Sequence, residues 1–121
     1  MKIVYEENET IQSISEWHKQ TFPDATLEGQ IKKFNEERNE YKQTPTFFEL
    51  ADMFIVACGI SRFDSVLALD YFKEVHKKLQ RKKWFYFNAE DIFLEIINIK
   101  MNTNRRRQWN KVGGLYKHKG A

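Results

Sequence analysis

The stretch from Phe47 to Ile60, FFELADMFIVACGI, constrains this chain more than any other. Thr46 precedes it as a helix N-cap, and Thr46-Phe47-Phe48-Glu49 fits a capping box in which the glutamate satisfies a free backbone N–H. From Phe47 onward the helix is apolar almost all round, and a helix of that kind is buried, in its own core or in a subunit interface. Inside it sit two carboxylates, Glu49 and Asp52.

The rest of the chain supplies helices to surround it. A first helix is predicted from Thr10 to about Thr21, with Ile11, Ile14, Trp17 and His18 on one side, ending before Pro23. Thr26 caps a second, about Leu27 to Lys42, with Leu27, Ile31 and Phe34 as its apolar stripe. Asp64 caps a fourth, Ser65 to Leu79, with Val66, Leu69, Phe72 and Val75 inward. Asn88 caps a fifth, about Ala89 to Arg107, with Ile92, Phe93, Ile96 and Ile97 inward, and Gly113-Gly114 stops any continuation. The RKKWFYF segment between them admits a short extended piece. No window shows sustained strand-like alternation, so the expected class is all-α, with about five helices in a single domain over 1–121.

With 41% hydrophobic and 31% charged residues, the composition excludes wholesale disorder. Met53 to Ile60, the longest nearly unbroken apolar run, falls far short of the roughly 20 residues of a membrane span, and MKIVYEENET holds no signal-peptide core, so the expected location is the cytoplasm. Cys58, the one cysteine, excludes an intrachain disulfide and a cysteine-based zinc site; its apolar neighbours predict a buried, inert thiol.

The charges are segregated. Glu36, Glu37, Glu40, Glu49 and Asp52 crowd the centre, whereas no acidic residue follows Glu95 and the tail carries Lys100, Arg105, Arg106, Arg107, Lys111, Lys117 and Lys119. Glu37 and Glu40 are three apart on the second helix, as are Glu49 and Asp52 on the third, so each pair shares a helical face. If these helices form an antiparallel hairpin across Lys42 to Pro45, four carboxylates converge, and they repel one another unless a cation sits between them. A hard divalent ion, magnesium or manganese, suits such a set. Glu36, Glu37 and Glu40 read alone also fit a solvated helix face, and Glu49 the capping box; Asp52 fits neither. Lys100, Asn104 and Arg107 share a face of the fifth helix and suit phosphate oxygens or a base edge, although a basic helix end also suits the macrodipole.

Glu36-Glu37-x-x-Glu40 followed by Glu49-x-x-Asp52 resembles the paired motif of the MazG-like, all-α nucleoside triphosphate pyrophosphohydrolases. Trp17 with Phe22-Pro23 and Thr26, then Lys100-Met101, Asn104-Arg105-x-Arg107-x-Trp109, Gly114 and His118, resemble the dATP/dGTP pyrophosphohydrolase branch of bacteria and their phages. The resemblance implies a four-helix-bundle core assembled as a dimer or tetramer. It also implies magnesium held by Glu37, Glu40, Glu49 and Asp52, and hydrolysis of a (deoxy)purine nucleoside triphosphate to the monophosphate and pyrophosphate. Glu36 is then the candidate base, and Lys100, Asn104, Arg107, Trp109 and Trp17 are the candidate substrate contacts. The eight-residue gap between Glu40 and Glu49 is shorter than in typical MazG domains, which bears on the nucleobase. Two other readings compete: a nucleic-acid-binding module using the basic tail, and a non-enzymatic interaction bundle whose carboxylates pair with lysine or arginine.

Overall fold

Each helix of this chain begins where a short polar side chain can take a free backbone N–H. In the computed structural model, which describes residues 8–107 in full and 109–112 and 115–118 as backbone, the elements are α1 (Ile11–Thr21), α2 (Leu27–Gln43), α3 (Phe47–Phe63), α4 (Ser65–Lys82) and α5 (Ala89–Arg106), then β1 (Trp109–Val112) and β2 (Leu115–His118). Thr10, Thr26, Thr46 and Asp64 accept from Ser13, Gly29, Glu49 and Leu67 N–H respectively. Asn88 precedes α5 without making such a bond, and Glu90 and Asp91 supply the favourable charge at that end instead.

The helix read as buried on every side is the hub: α3 packs against α1, α2, α4 and α5. Leu50, Ala51, Met53, Cys58 and Ile60 have no exposed surface, and burying each large side chain is worth about 1.5–3 kcal/mol. Phe34 of α2, Ile14 of α1, Ala68 of α4 and Met101 of α5 complete the core around it. Burial pushes the Cys58 thiol well up, so it is inert. Among the described residues no helix is long and apolar enough to cross a membrane.

Three expectations need correction, the first being that RKKWFYF is the end of α4 and a turn rather than an extended piece, because Phe85 and Tyr86 N–H donate back to the Lys82 carbonyl. On α4, Val66 and Leu69 are 75% and 53% exposed, and the inward face is Ala68, Val75 and Leu79 with Phe72 partly covered. That helix carries more apolar residues than one face can use, and small Ala68 lets its backbone approach α3. Beyond α5, which ends where the sequence reading placed it, the described residues add a hairpin that reading did not expect, β1 antiparallel to β2 with Val112 opposite Leu115. Gly-Gly between two short runs is a hairpin signal, but four-residue strands are too brief to show alternation. The side chains of Trp109, Lys111, Lys117 and His118, and the glycines at 113–114, lie outside the described residues.

Two polar devices tie the helices together. Arg62, near the end of α3, donates from Nη1 to the carbonyls of Phe22 at 2.7 Å and His18 at 3.3 Å, and approaches His18 Nδ1 at 3.0 Å. Burial first, then the Arg62 charge, holds the His18 imidazole down at about 4, against a hydrogen bond with Gln30 that raises it. The ring is therefore neutral and accepts at Nδ1. Gly59 leaves room for this pair, since a Cβ there would meet Gln30 Oε1 at 2.7 Å. At the other side, Glu9 N–H donates to Asn98 Oδ1 at 2.8 Å, Asn98 Nδ2 donates to Asn8 Oδ1 at 3.0 Å, and Arg105 grips Glu9 through two nitrogens at 2.7 and 3.0 Å.

Arg62→Ala strips donors from the carbonyls that end α1 and from a buried imidazole. We expect it to lower stability by about 2–3 kcal/mol, read as a lower denaturant midpoint at unchanged slope. A midpoint within error of the wild type would show that water replaces the guanidinium without cost.

Candidate metal centre

The three-residue link between α2 and α3 makes them an antiparallel hairpin, and its chemistry decides where Glu49 points. Thr46 Oγ1 accepts from Glu49 N–H at 3.2 Å, but Thr46 N–H donates to the Thr44 carbonyl at 2.8 Å. The capping box stays half-made. The Glu49 carboxylate is thereby available to the seam with α2 instead of being spent on the cap.

There it meets Glu37 and Asp52. One carboxylate oxygen from each of the three lies within 4.8 Å of the others. Glu37 is only 6% exposed. Its Oε2, and Oε2 of Glu49, are buried with no hydrogen-bond partner. An unpaired buried acceptor of this kind is costly, and two in one cluster cost more. Oxygens on opposite sides of a magnesium ion stand about 4 Å apart, so a small inward movement of these side chains would enclose one. The residues present therefore fit a hard divalent cation.

Two ammonium groups partly balance the cluster. Lys100 of α5 reaches Asp52 Oδ2 at 2.9 Å, and Lys33 of α2 reaches Glu37 Oε1 at 3.3 Å and Glu36 Oε2 at 3.9 Å. Even so, burial first and then the Asp52 charge push Glu37 up to about 7, against the pull of Lys33. Glu49 is also raised, by burial, Asp52 and Glu40 in that order. Asp52 is raised by burial despite Lys100 beside it.

Of the residues singled out from sequence, Glu37, Glu49, Asp52 and Lys100 come together directly. Glu40 is exposed at the rim, within hydrogen-bonding reach of Glu37 and Glu49 but outside the tight trio. Carboxylates offer only acceptors, so that approach satisfies neither partner without a shared proton. Glu36 joins the cluster through Lys33. Asn104 is turned inward, where its amide donates to Met101 Sδ at 3.8 Å and its oxygen accepts from exposed Arg107 at 3.5 Å. Trp17 is packed inside, edge-to-face with Phe22 at 5.3 Å and His18 at 6.3 Å between ring centroids. The side chain of Trp109 lies outside the described residues.

Sequence reading missed Lys33, whose signal is its spacing of four before Glu37. Phe48, part of the apolar stretch, is 47% exposed, and Lys100 Nζ lies 5.8 Å from its ring centroid, at the edge of the cluster.

Compared with protein-family models, with characterised proteins and with solved structures, the chain matches none.

A raised carboxyl pKa makes the folded chain bind a proton that the unfolded chain releases. From about pH 4.5 to about pH 7, stability without divalent ions therefore falls as pH rises, by about 2–3 kcal/mol from Glu37. Glu49 and Asp52 act in the same direction, Glu9 and Glu74, both lowered, act at more acid pH, and His18, held down at about 4, opposes the fall because the unfolded chain takes up its proton below about pH 6.5. In EDTA, Glu37→Gln should raise the denaturation midpoint relative to the wild type more at pH 8 than at pH 5, a comparison in which the His18 contribution cancels. A difference between the two proteins that is the same at pH 5 and pH 8 would mean that water reaches the cluster freely.

Proposed function

We propose that the chain is a magnesium-dependent, or manganese-dependent, nucleoside triphosphate pyrophosphohydrolase of the MazG-like kind. It releases pyrophosphate from a (deoxy)purine nucleoside triphosphate such as dATP or dGTP and leaves the monophosphate. The observation that carries this reading is the pair of orphaned carboxylate oxygens on Glu37 and Glu49, beside Asp52, with a lysine from a third helix at the same point. A structural ion-pair cluster has no use for acceptors left unpaired; a metal site does. On this reading the core around α3 is the family's four-helix bundle.

Glu37, Glu49 and Asp52 would hold the ion, with Glu40 closing the set from the rim. The ion would supply a water of lowered pKa and neutralise phosphate charge. Lys100, paired with Asp52 at 2.9 Å, would bring its ammonium to the phosphate oxygens at the same point if the ion took over its carboxylate partner. Lys33 fixes Glu36 and Glu37 with respect to each other, so that Glu36 can take a proton from water attacking the α-phosphorus while pyrophosphate leaves. Arg107, exposed at the end of α5, reaches for the outer phosphates, and Asn104 orients it.

One observation favours the interaction-bundle reading: Lys33 and Lys100 already pair with carboxylates inside the chain. It leaves the two orphaned oxygens unexplained. The test is a panel of NTPs and dNTPs with magnesium, with and without EDTA, analysed for monophosphate and pyrophosphate. We expect turnover that EDTA abolishes, a loss of about 100-fold or more in Asp52→Ala, and a smaller loss, mainly in KM, in Lys100→Ala. No pyrophosphate from any nucleotide by the folded, magnesium-loaded protein would sink the hydrolase reading.

A further inference from the structure

The corner between α4 and α5 carries an apolar surface that the carboxylate cluster does not use. Trp84, Phe85 and Phe87 are 86%, 85% and 98% exposed. Their presentation is built rather than accidental. Phe85 and Tyr86 N–H both donate to the Lys82 carbonyl, and Ala89 N–H donates to that of Tyr86, so the turn is closed by its own backbone. Tyr86 packs edge-to-face on Phe47, with centroids 5.5 Å apart, and Lys82 donates to the Pro45 carbonyl at 2.7 Å while facing the Phe47 ring. Only the other three rings point away from the protein. Monomeric proteins rarely leave such an apolar cluster in water.

The same corner has a receptacle. A shallow hollow of about 430 Å³ is lined by Gln80, Lys83 and Trp84. It also has both signs of charge: Lys77 and Arg81 are exposed on the last turns of α4 and Asp91 on the first turn of α5, where the adjacent Glu90 is already paired with Lys83. A projection beside a hollow, and a cationic edge beside an anionic one, match a rotated copy of themselves, which is what a two-fold contact between identical chains requires. A nucleic acid or an anionic bilayer would gain from Lys77 and Arg81 but would leave Asp91 facing like charge, whereas a second copy answers both signs.

We propose that two copies of this chain associate corner to corner through the α4–α5 turn. Phe85 and Phe87 of each enter the hollow beside Trp84 of the other, and the basic end of α4 faces the acidic start of the partner's α5. This inference does not depend on the hydrolase reading.

Sedimentation velocity of the full chain over a micromolar range tests it. The wild type should self-associate, and Phe85→Ser with Phe87→Ser should weaken association by at least about 10-fold while leaving the helical circular dichroism unchanged. Arg81→Glu and Asp91→Lys should each weaken it alone, and mixing those two variants should restore it, because both cross-contacts regain opposite charges. A wild type that stays monomeric overturns the proposal, including one that binds phosphatidylserine vesicles or single-stranded DNA through the same rings. So does a double serine variant that still assembles, through Val66 and Leu69 for instance, or a mixture no tighter than its components.

Discussion

Carboxylates confined together in an apolar setting lose hydration and repel one another, and the arrangement of this molecule answers that constraint from several directions. Asp52 and Glu49 are carried on α3, whose other residues hold them part-buried at the seam with α2 through the burial of Leu50, Ala51, Met53 and Ile55. Glu37 arrives from α2 because the link between the helices is too short to let them diverge. Lysines from α2 and α5 then occupy one oxygen each of Glu37 and Asp52. The relative placement of α2, α3 and α5 is thus tied to charge as well as to packing, whereas α1 and α4 cover the remaining sides of α3 mainly with apolar side chains.

A cluster under that much electrostatic tension keeps its shape only on a stiff support. The core around α3 supplies one, and the Arg62 contacts add another by ending α1 against the same helix. The oxygens left without partners are the remaining tension. It is the kind of local destabilisation that a functional site retains and that selection for stability alone would remove.

The helices and the carboxylate cluster were legible in the sequence because they rest on local rules. Caps at Thr26, Thr46 and Asp64, breaks at Pro23 and Pro45, and acidic residues three apart are all short-range signals. What was not legible depends on choices between equally good local options. Thr46 N–H had two possible acceptors, Glu49 and Thr44, and only the tertiary fold selects the second. On α4, Val66 and Leu69 look as suitable for the core as Ala68 and Val75 do; the residue that fits closest to α3 is the small one. His18 read as an apolar-face residue, and its partner Arg62 lies 44 positions away, beyond any periodicity. Lys33 was hidden for the opposite reason: a lysine four before a glutamate is so common on helix surfaces that it attracts no notice.

Glu9 and Asn8 meet Arg105 and Asn98 across roughly ninety residues of chain. These contacts close the described chain into something near a ring, with the segment ahead of α1 clasped to the last turns of α5. Fraying, which in an open helical array starts independently at either end, here becomes one event: α5 cannot unwind at Arg105 without also releasing the lead into α1. Lys100 and Asn104 lie on the stretch of α5 that this clasp secures. The register of Lys100, which meets the carboxylates, is therefore set partly by Asn8 and Glu9 at the far end of the described chain.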